Sequence, residues 1–152
     1  MAAKKAPKSF SSKDFGKTKS TIATVVPDKL IHQQVADENS LDGKFSKERK
    51  HPVYVVNLPT KNISMTIGGI EPGGKTNMHR HTYETVIYIL EGEGVTIVED
   101  REVTWKAGDA IYVPQWAWHH HRNRKTNKRC LYIACENAPQ LQNLGVALRE
   151  EA

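Results

Sequence analysis

From Val53 onward the chain runs in short stretches of β-branched and aromatic residues, each too brief for a helix of three turns: VYVVNL, ISMTIGGI, YETVIYIL, GVTIVE, REVTW, DAIYVP and CLYIAC. The segments between them, LPTKN, EPGGK, EGEG, ED, KAGD and NRKTNK, hold the Gly, Pro, Asn and Asp whose backbone angles reverse a strand. Seven short strands at a spacing of roughly 8–12 residues predict an all-β sandwich or barrel over 53–138. CLYIAC alternates as a strand does. The odd separation of Cys130 and Cys135 then sets them on opposite faces, about 16 Å apart, too far to bridge. Two free thiols are expected, which points to a reducing, cytoplasmic setting.

The flanks read differently. Residues 21–52 contain a Val/Ile stretch and then DKLIHQQVADENSLDGKFSKERKH, polar and weakly periodic, read as a lead-in to the β-domain. In 139–152, LQNLGVALREEA, Leu141, Leu144 and Leu148 lie near helical spacing while Gly145 weakens it; a short closing helix and an edge segment are both compatible. The net charge of +5 belongs to residues 1–20. Six lysines there (Lys4, Lys5, Lys8, Lys13, Lys17 and Lys19) face the single acid Asp14, and of the chain's 22 basic and 17 acidic residues sixteen of each remain from Thr21 on. This Lys- and Ser-rich tail is too polar to order itself and is expected to be disordered. It has no apolar h-region and no arginine of a transit peptide. It lacks the interleaved aromatics of a single-strand nucleic-acid binder, and the neutral domain offers no phosphate-binding face, so no nucleic-acid partner is expected. The longest apolar run, Val86 to Leu90, falls far short of the roughly 20 residues of a membrane helix. A chain of 152 residues builds a core without disulfides or a structural metal, so a metal site here would be functional.

Five of the seven histidines fall in two groups, His79 and His81 in MHRHTY and His119, His120 and His121 in WAWHHHRN. On a strand, residues two apart share a face, so His79 and His81 converge while Arg80 points away. His119 and His121 likewise share a face, with His120 opposite. Neutral imidazole is the commonest side-chain metal ligand, and a His pair on one strand with a third His from a facing strand fills one side of a coordination sphere, leaving the other open.

Spacing adds to this. Gly73, five residues, His79, one residue, His81, and ten residues to Gly92, followed later by Gly108, five residues, Pro114, four residues, His119, three residues and Asn123, resemble the two motifs of the cupin superfamily over about 50 of the 152 residues. The resemblance implies a single cupin jelly-roll β-barrel with a metal inside, His79, His81 and His119 as ligands, and a homodimer. His121, on the His119 face, stands as the alternative third ligand or as a neighbouring acid/base. Two positions depart from the pattern: Trp116 stands where the second motif has glycine, and Thr85 stands where the first has its metal-binding glutamate. Glu84, an odd number of residues from His81, points to the other face unless a bulge re-aims it.

Three neutral ligands leave a divalent ion at its full charge, which favours anionic bidentate ligands such as adjacent carboxylate and phenolate. HRHTYE, ILEGEG and VPQWAWHHHRN also resemble stretches of gentisate 1,2-dioxygenase and its salicylate-cleaving relatives, longer proteins with two cupin units. The resemblance implies an Fe(II) dioxygenase acting on a small aromatic acid or phenol, with His121 or Tyr83 handling protons. Manganese, nickel or zinc in a cupin isomerase, decarboxylase or lyase, and a small-ligand-binding sensor without catalysis, are the alternatives that the fold leaves open. Trp105, Trp116, Trp118 and Tyr83 are candidates for an aromatic-accepting pocket or for core, and Arg122, Arg124, Lys125, Lys128 and Arg129 form a basic loop with the potential to steer an anion.

Overall fold

The computed structural model describes Gly16 and residues 23–37, 41–125 and 127–152; apart from Gly16, the Lys-rich tail lies outside the described residues. In chain order the elements are α1 (Gly43–Arg49), β1 (Val53–Val55), β2 (Ser64–Ile70), β3 (His79–His81), β4 (Thr85–Glu91), β5 (Glu93–Val98), β6 (Arg101–Lys106), β7 (Ala110–Val113), β8 (His119–Asn123), β9 (Cys130–Glu136), α2 (Ala138–Asn143) and β10 (Arg149–Glu151). They form two antiparallel five-stranded sheets, in the orders β1-β2-β9-β4-β7 and β10-β3-β8-β5-β6.

Period-two patterning accounts for which face of each strand is covered. In β4, Thr85, Ile87 and Ile89 are buried while Val86, Tyr88 and Leu90 are exposed; in β9, Cys130, Tyr132 and Ala134 are buried. With Ile70, Ile111, Val113 and Trp105, the buried side chains Ile87, Ile89, Cys130, Tyr132 and Ala134 make the apolar core. The facing sheet adds Val95 and Trp105 to the buried apolar residues but otherwise buries polar ones: His79, His81, Thr96, His119, His121 and Asn123. One wall is thus aliphatic and the other imidazole-rich, and burial of unbonded polar groups is costly enough that each needs a partner. Asn123 shows how this is met. Its Nδ2 donates to the carbonyls of Ile70, Glu71 and Lys128 and its Oδ1 accepts from Lys125 N–H, tying the loop after β8 to the end of β2.

The seven apolar runs correspond to β1, β2, β4, β5, β6, β7 and β9. The strands β3 and β8 are short and turn histidine inward, so no apolar alternation marks them. After Pro139 both forms the sequence allowed occur in succession, helix α2 and then the edge strand β10. Gly92 adopts φ +89° at the β4–β5 reversal, where an added Cβ would meet Cys130 Sγ at 2.7 Å; only glycine takes that backbone without strain. Trp116 sits at φ 59°, the left-handed conformation that favours glycine, which explains why the cupin motif carries glycine at this place. Cys130 and Cys135 are free, one buried and the other exposed.

Candidate metal centre

The sheet order sets β3 beside β8, with His79 directly opposite His119 in the antiparallel register. Ring centroids are 4.2 Å apart for His79 and His119, 4.8 Å for His81 and His119, and 5.7 Å for His79 and His81. One ligand nitrogen from each of the three lies within 4.8 Å of the others. Each Nδ1 donates to a backbone carbonyl two residues away in the chain: His79 to Asn77 at 2.8 Å, His81 to Tyr83 at 2.7 Å, His119 to Ala117 at 2.8 Å. A ring whose Nδ1 carries the hydrogen keeps its Nε2 lone pair free, the tautomer that a metal needs. Burial, with the neighbouring His119 second, pushes His79 down to about 2; burial and its neighbours push His81 down to about 4 and lower His119 as well. All three are neutral at pH 7. Three uncharged, buried, pre-oriented donors fit a divalent ion of the imidazole-preferring kind.

His121 is built differently. Its Nδ1 lies 2.8 Å from Thr96 Oγ1, and that oxygen accepts Trp105 Nε1–H at 2.9 Å. Thr96 is fully buried, and its hydroxyl hydrogen is satisfied by donation to His121 Nδ1, which leaves the hydrogen of His121 on Nε2. His121 N–H donates to Thr76 Oγ1 at 2.9 Å. His121 lines the cavity above the three histidines as a neutral N–H donor, its basicity lowered chiefly by burial.

Tyr83 is buried with its ring stacked on His81, centroids 3.9 Å apart and planes 3° from parallel. It faces a neighbouring cleft rather than the histidine cavity. Glu84 stays outward, accepting from Tyr112 Oη at 2.7 Å, so no bulge re-aims it. The tryptophans do not line the cavity either. Trp105 belongs to the core, while Trp116 and Trp118 hold Arg80 on the outer side of β3, their rings 4.3 and 4.6 Å from its guanidinium carbon. In the basic loop Arg124 pairs with Glu102 and Lys125 with Glu93, so part of its charge is spent on the neighbouring strands.

Among the described residues, four charged groups that the sequence reading missed line the cavity: Glu136, Glu151, Arg49 and Arg149. Glu136 continues the inward series Cys130, Tyr132 and Ala134 by one more step of two, a signal readable in CLYIACE. Its Oε1 accepts from Thr85 Oγ1 at 3.2 Å, and burial raises its carboxyl above the usual carboxylate range. The position that carries the cupin glutamate thus holds a threonine whose hydroxyl meets a carboxyl from the adjacent strand. Arg49 comes from the last turn of α1, and Arg149 from β10.

This arrangement agrees with the comparisons. The family described as Cupin domain matches residues 67–134. Residues 67–134 are a cupin domain. The chain is 36% identical over 95 residues to a 5-aminosalicylate 1,2-dioxygenase of Comamonas sp, covering 62% of this chain and 24% of that one. It is 36% identical over 87 residues to gentisate 1,2 dioxygenase 1 of Aquipseudomonas alcaligenes, covering 51% and 25%. The chain therefore spans about a quarter of the length of these curated relatives. Among solved structures, a salicylate 1,2-dioxygenase of Pseudaminobacter salicylatoxidans superposes with a TM-score of 0.64 at 22% identity, over 72% of this chain and 35% of that one; this likeness is one of fold. A mutant of that enzyme was crystallised in complex with gentisate. Over part of its length the chain is similar to gentisate-type dioxygenases, and it carries a buried three-histidine candidate metal site.

Proposed function

We propose that this cupin is an Fe(II) dioxygenase that cleaves a small aromatic acid or phenol bound bidentate at the three-histidine site. The observation that carries the reading is the donor set: His79, His81 and His119, each with Nδ1 tied to a carbonyl and no carboxylate among them. When bound by these three, iron(II) supplies a dipositive Lewis acid with open positions suited to activating dioxygen beside a chelated anion. The chain's own residues do the rest. The carbonyls of Asn77, Tyr83 and Ala117 hold the ligand rings in one tautomer, and Tyr83 fixes the plane of His81 by stacking. His121 presents Nε2–H to the cavity, placed to donate a hydrogen bond to a substrate oxygen on which negative charge builds. Ile87, Val113 and Ala134 exclude water on the opposite wall. The two free cysteines support a cytoplasmic location.

Oxygen uptake tests this. Protein reconstituted anaerobically with iron(II) is expected to consume oxygen with one of gentisate, salicylate, a catechol or a hydroquinone, and His79→Ala to lose both bound iron and uptake. Iron-loaded protein inert toward all four defeats the reading, and zinc or nickel in protein purified without a His-tag moves it to non-oxidative chemistry.

A further inference from the structure

Two guanidinium groups, Arg149 and Arg49, line the cavity beside the metal-site histidines. In the antiparallel pairing of β10 with β3, Arg149 lies opposite His81, Glu150 opposite Arg80 and Glu151 opposite His79. Cross-strand partners share a face with their Cβ atoms about 5 Å apart. Arg149 and Glu151 therefore point to the same side as two of the metal-site histidines, while Glu150 and Arg80 meet on the outer side. Glu151 accepts from one terminal nitrogen of Arg149 at 2.5 Å and from Asn77 Nδ2 at 3.0 Å. Arg149 Nε is buried with no hydrogen-bond partner among the described residues. A guanidinium offers five N–H donors in a fixed fork, and a buried donor without an acceptor is costly. Arg49 brings a second guanidinium to the same cavity, seated over the Phe45 ring at 4.5 Å. Two carboxyls face this pair among the described residues. Glu151 is already engaged by Arg149 and Asn77, and Glu136 accepts from Thr85 Oγ1.

We propose that Arg149, backed by Arg49, is the specificity-determining anchor of the cavity, taking the carboxylate of an aromatic acid through its unpartnered Nε and selecting such acids over neutral isosteres of the same shape. The inference rests on the reading of the cavity as the seat of a small aromatic acid, and it narrows that reading from acids or phenols to carboxylates. Arg and carboxylate match as fork to fork, a geometry Lys does not reproduce.

The test uses full-length protein loaded with redox-inert zinc, so that no turnover is needed. Calorimetry would compare salicylate with salicylamide, which keeps the ring and the hydroxyl and replaces the carboxylate by a neutral amide. Wild type is expected to favour salicylate by about tenfold or more. Arg149→Gln is expected to lose most of that preference by weakening salicylate while salicylamide binds as before, with one zinc per chain retained; Arg149→Lys recovers the preference in part. If Arg149 serves only to hold β10, Arg149→Gln lowers the melting temperature and leaves the salicylate preference intact, and the proposal fails. It also fails if wild type binds neither compound or does not discriminate. Because these readouts need no oxygen chemistry, an inert iron enzyme would sink the dioxygenase reading and leave the anchor standing.

Discussion

His79, His81 and His119 each satisfy Nδ1 through a carbonyl two residues away, so the metal-ready tautomer is fixed by local strand backbone rather than by a distant acid. The same burial that frees these rings disfavours their protonation, with a consequence for stability. A histidine whose folded pKa lies below its unfolded value binds more protons when unfolded, so stability rises with pH and is lost as pH falls through the unfolded value near 6.5. His79 and His81, lowered to about 2 and about 4, both act over the interval from about 6.5 to about 4, each removing about 1.4 kcal/mol per pH unit; His119 and His121 are shifted the same way. Glu136, raised by burial, works in the opposite sense, its contribution growing as pH falls toward its unfolded value. The histidines outnumber it. Metal-free protein is expected to show a urea midpoint that drops steeply between pH 7 and pH 5, and a flat profile there would show that the four rings are not buried as neutral imidazoles. At this scale the site was largely readable in the sequence, because a period of two alone sets His79 with His81 and His119 with His121. Arg149 and Glu136 were not singled out. What brings Arg149 beside His81 is the pairing of a terminal strand with β3, which no local pattern encodes, whereas Glu136 needed only one more step along its own strand.

Among the elements, β3 and β10 depend on one another. Arg80 leaves the cavity side of β3, lies between the rings of Trp116 and Trp118, and meets Glu150 of β10 at 2.7 Å. Trp116 N–H donates to the His81 carbonyl at 2.7 Å, so the residue that replaces the motif glycine is held by its backbone on one side and its ring on the other. A non-glycine residue in this conformation costs about 1–2 kcal/mol, offset here by stacking on a guanidinium worth about 0.5–1 kcal/mol and by the backbone bond. Arg80→Ala removes two such stacks and a partly exposed ion pair, a loss of about 1–3 kcal/mol in total. Hydrogen exchange is the sharper readout: amides of 149–151 are expected to exchange faster in Arg80→Ala while those of β4 and β9 keep their protection. Unchanged exchange in β10 would mean the tryptophans do not secure that strand. These elements also mark where sequence patterning stops. Strands β4 and β9 announce themselves by alternating apolar residues, whereas β3, β8 and β10 are built from His, Arg, Asn and Glu, and their strand character comes from pairing with neighbours already in place.

For the molecule as a whole, one surface remains to be accounted for. An antiparallel sheet with one wet face normally alternates apolar and polar residues, yet β4 is apolar on both faces. Its outer residues Val86, Tyr88 and Leu90 are exposed together with Tyr112 of β7 and Met65 of β2. The register makes them one patch: Val86 pairs with Tyr112 on one side and with Cys135 on the other, and Cys135 pairs with Met65. Contiguous exposed apolar surface of this kind marks an interaction face. The occupant we expect is a second copy of the chain, since a sheet face packed on itself about a two-fold axis is self-complementary and the cupin resemblance implies a homodimer. Residues of the cavity are not part of the patch, so association and ligand binding separate experimentally. Light scattering of the purified protein is expected to give the mass of two chains. Tyr88→Glu, which sets like charges against each other across the axis without touching the core, is expected to give the mass of one, with zinc stoichiometry and salicylate affinity retained. A wild-type chain that runs as a monomer at micromolar concentration rules the interface out, and a Tyr88→Glu variant that remains dimeric moves it to another face.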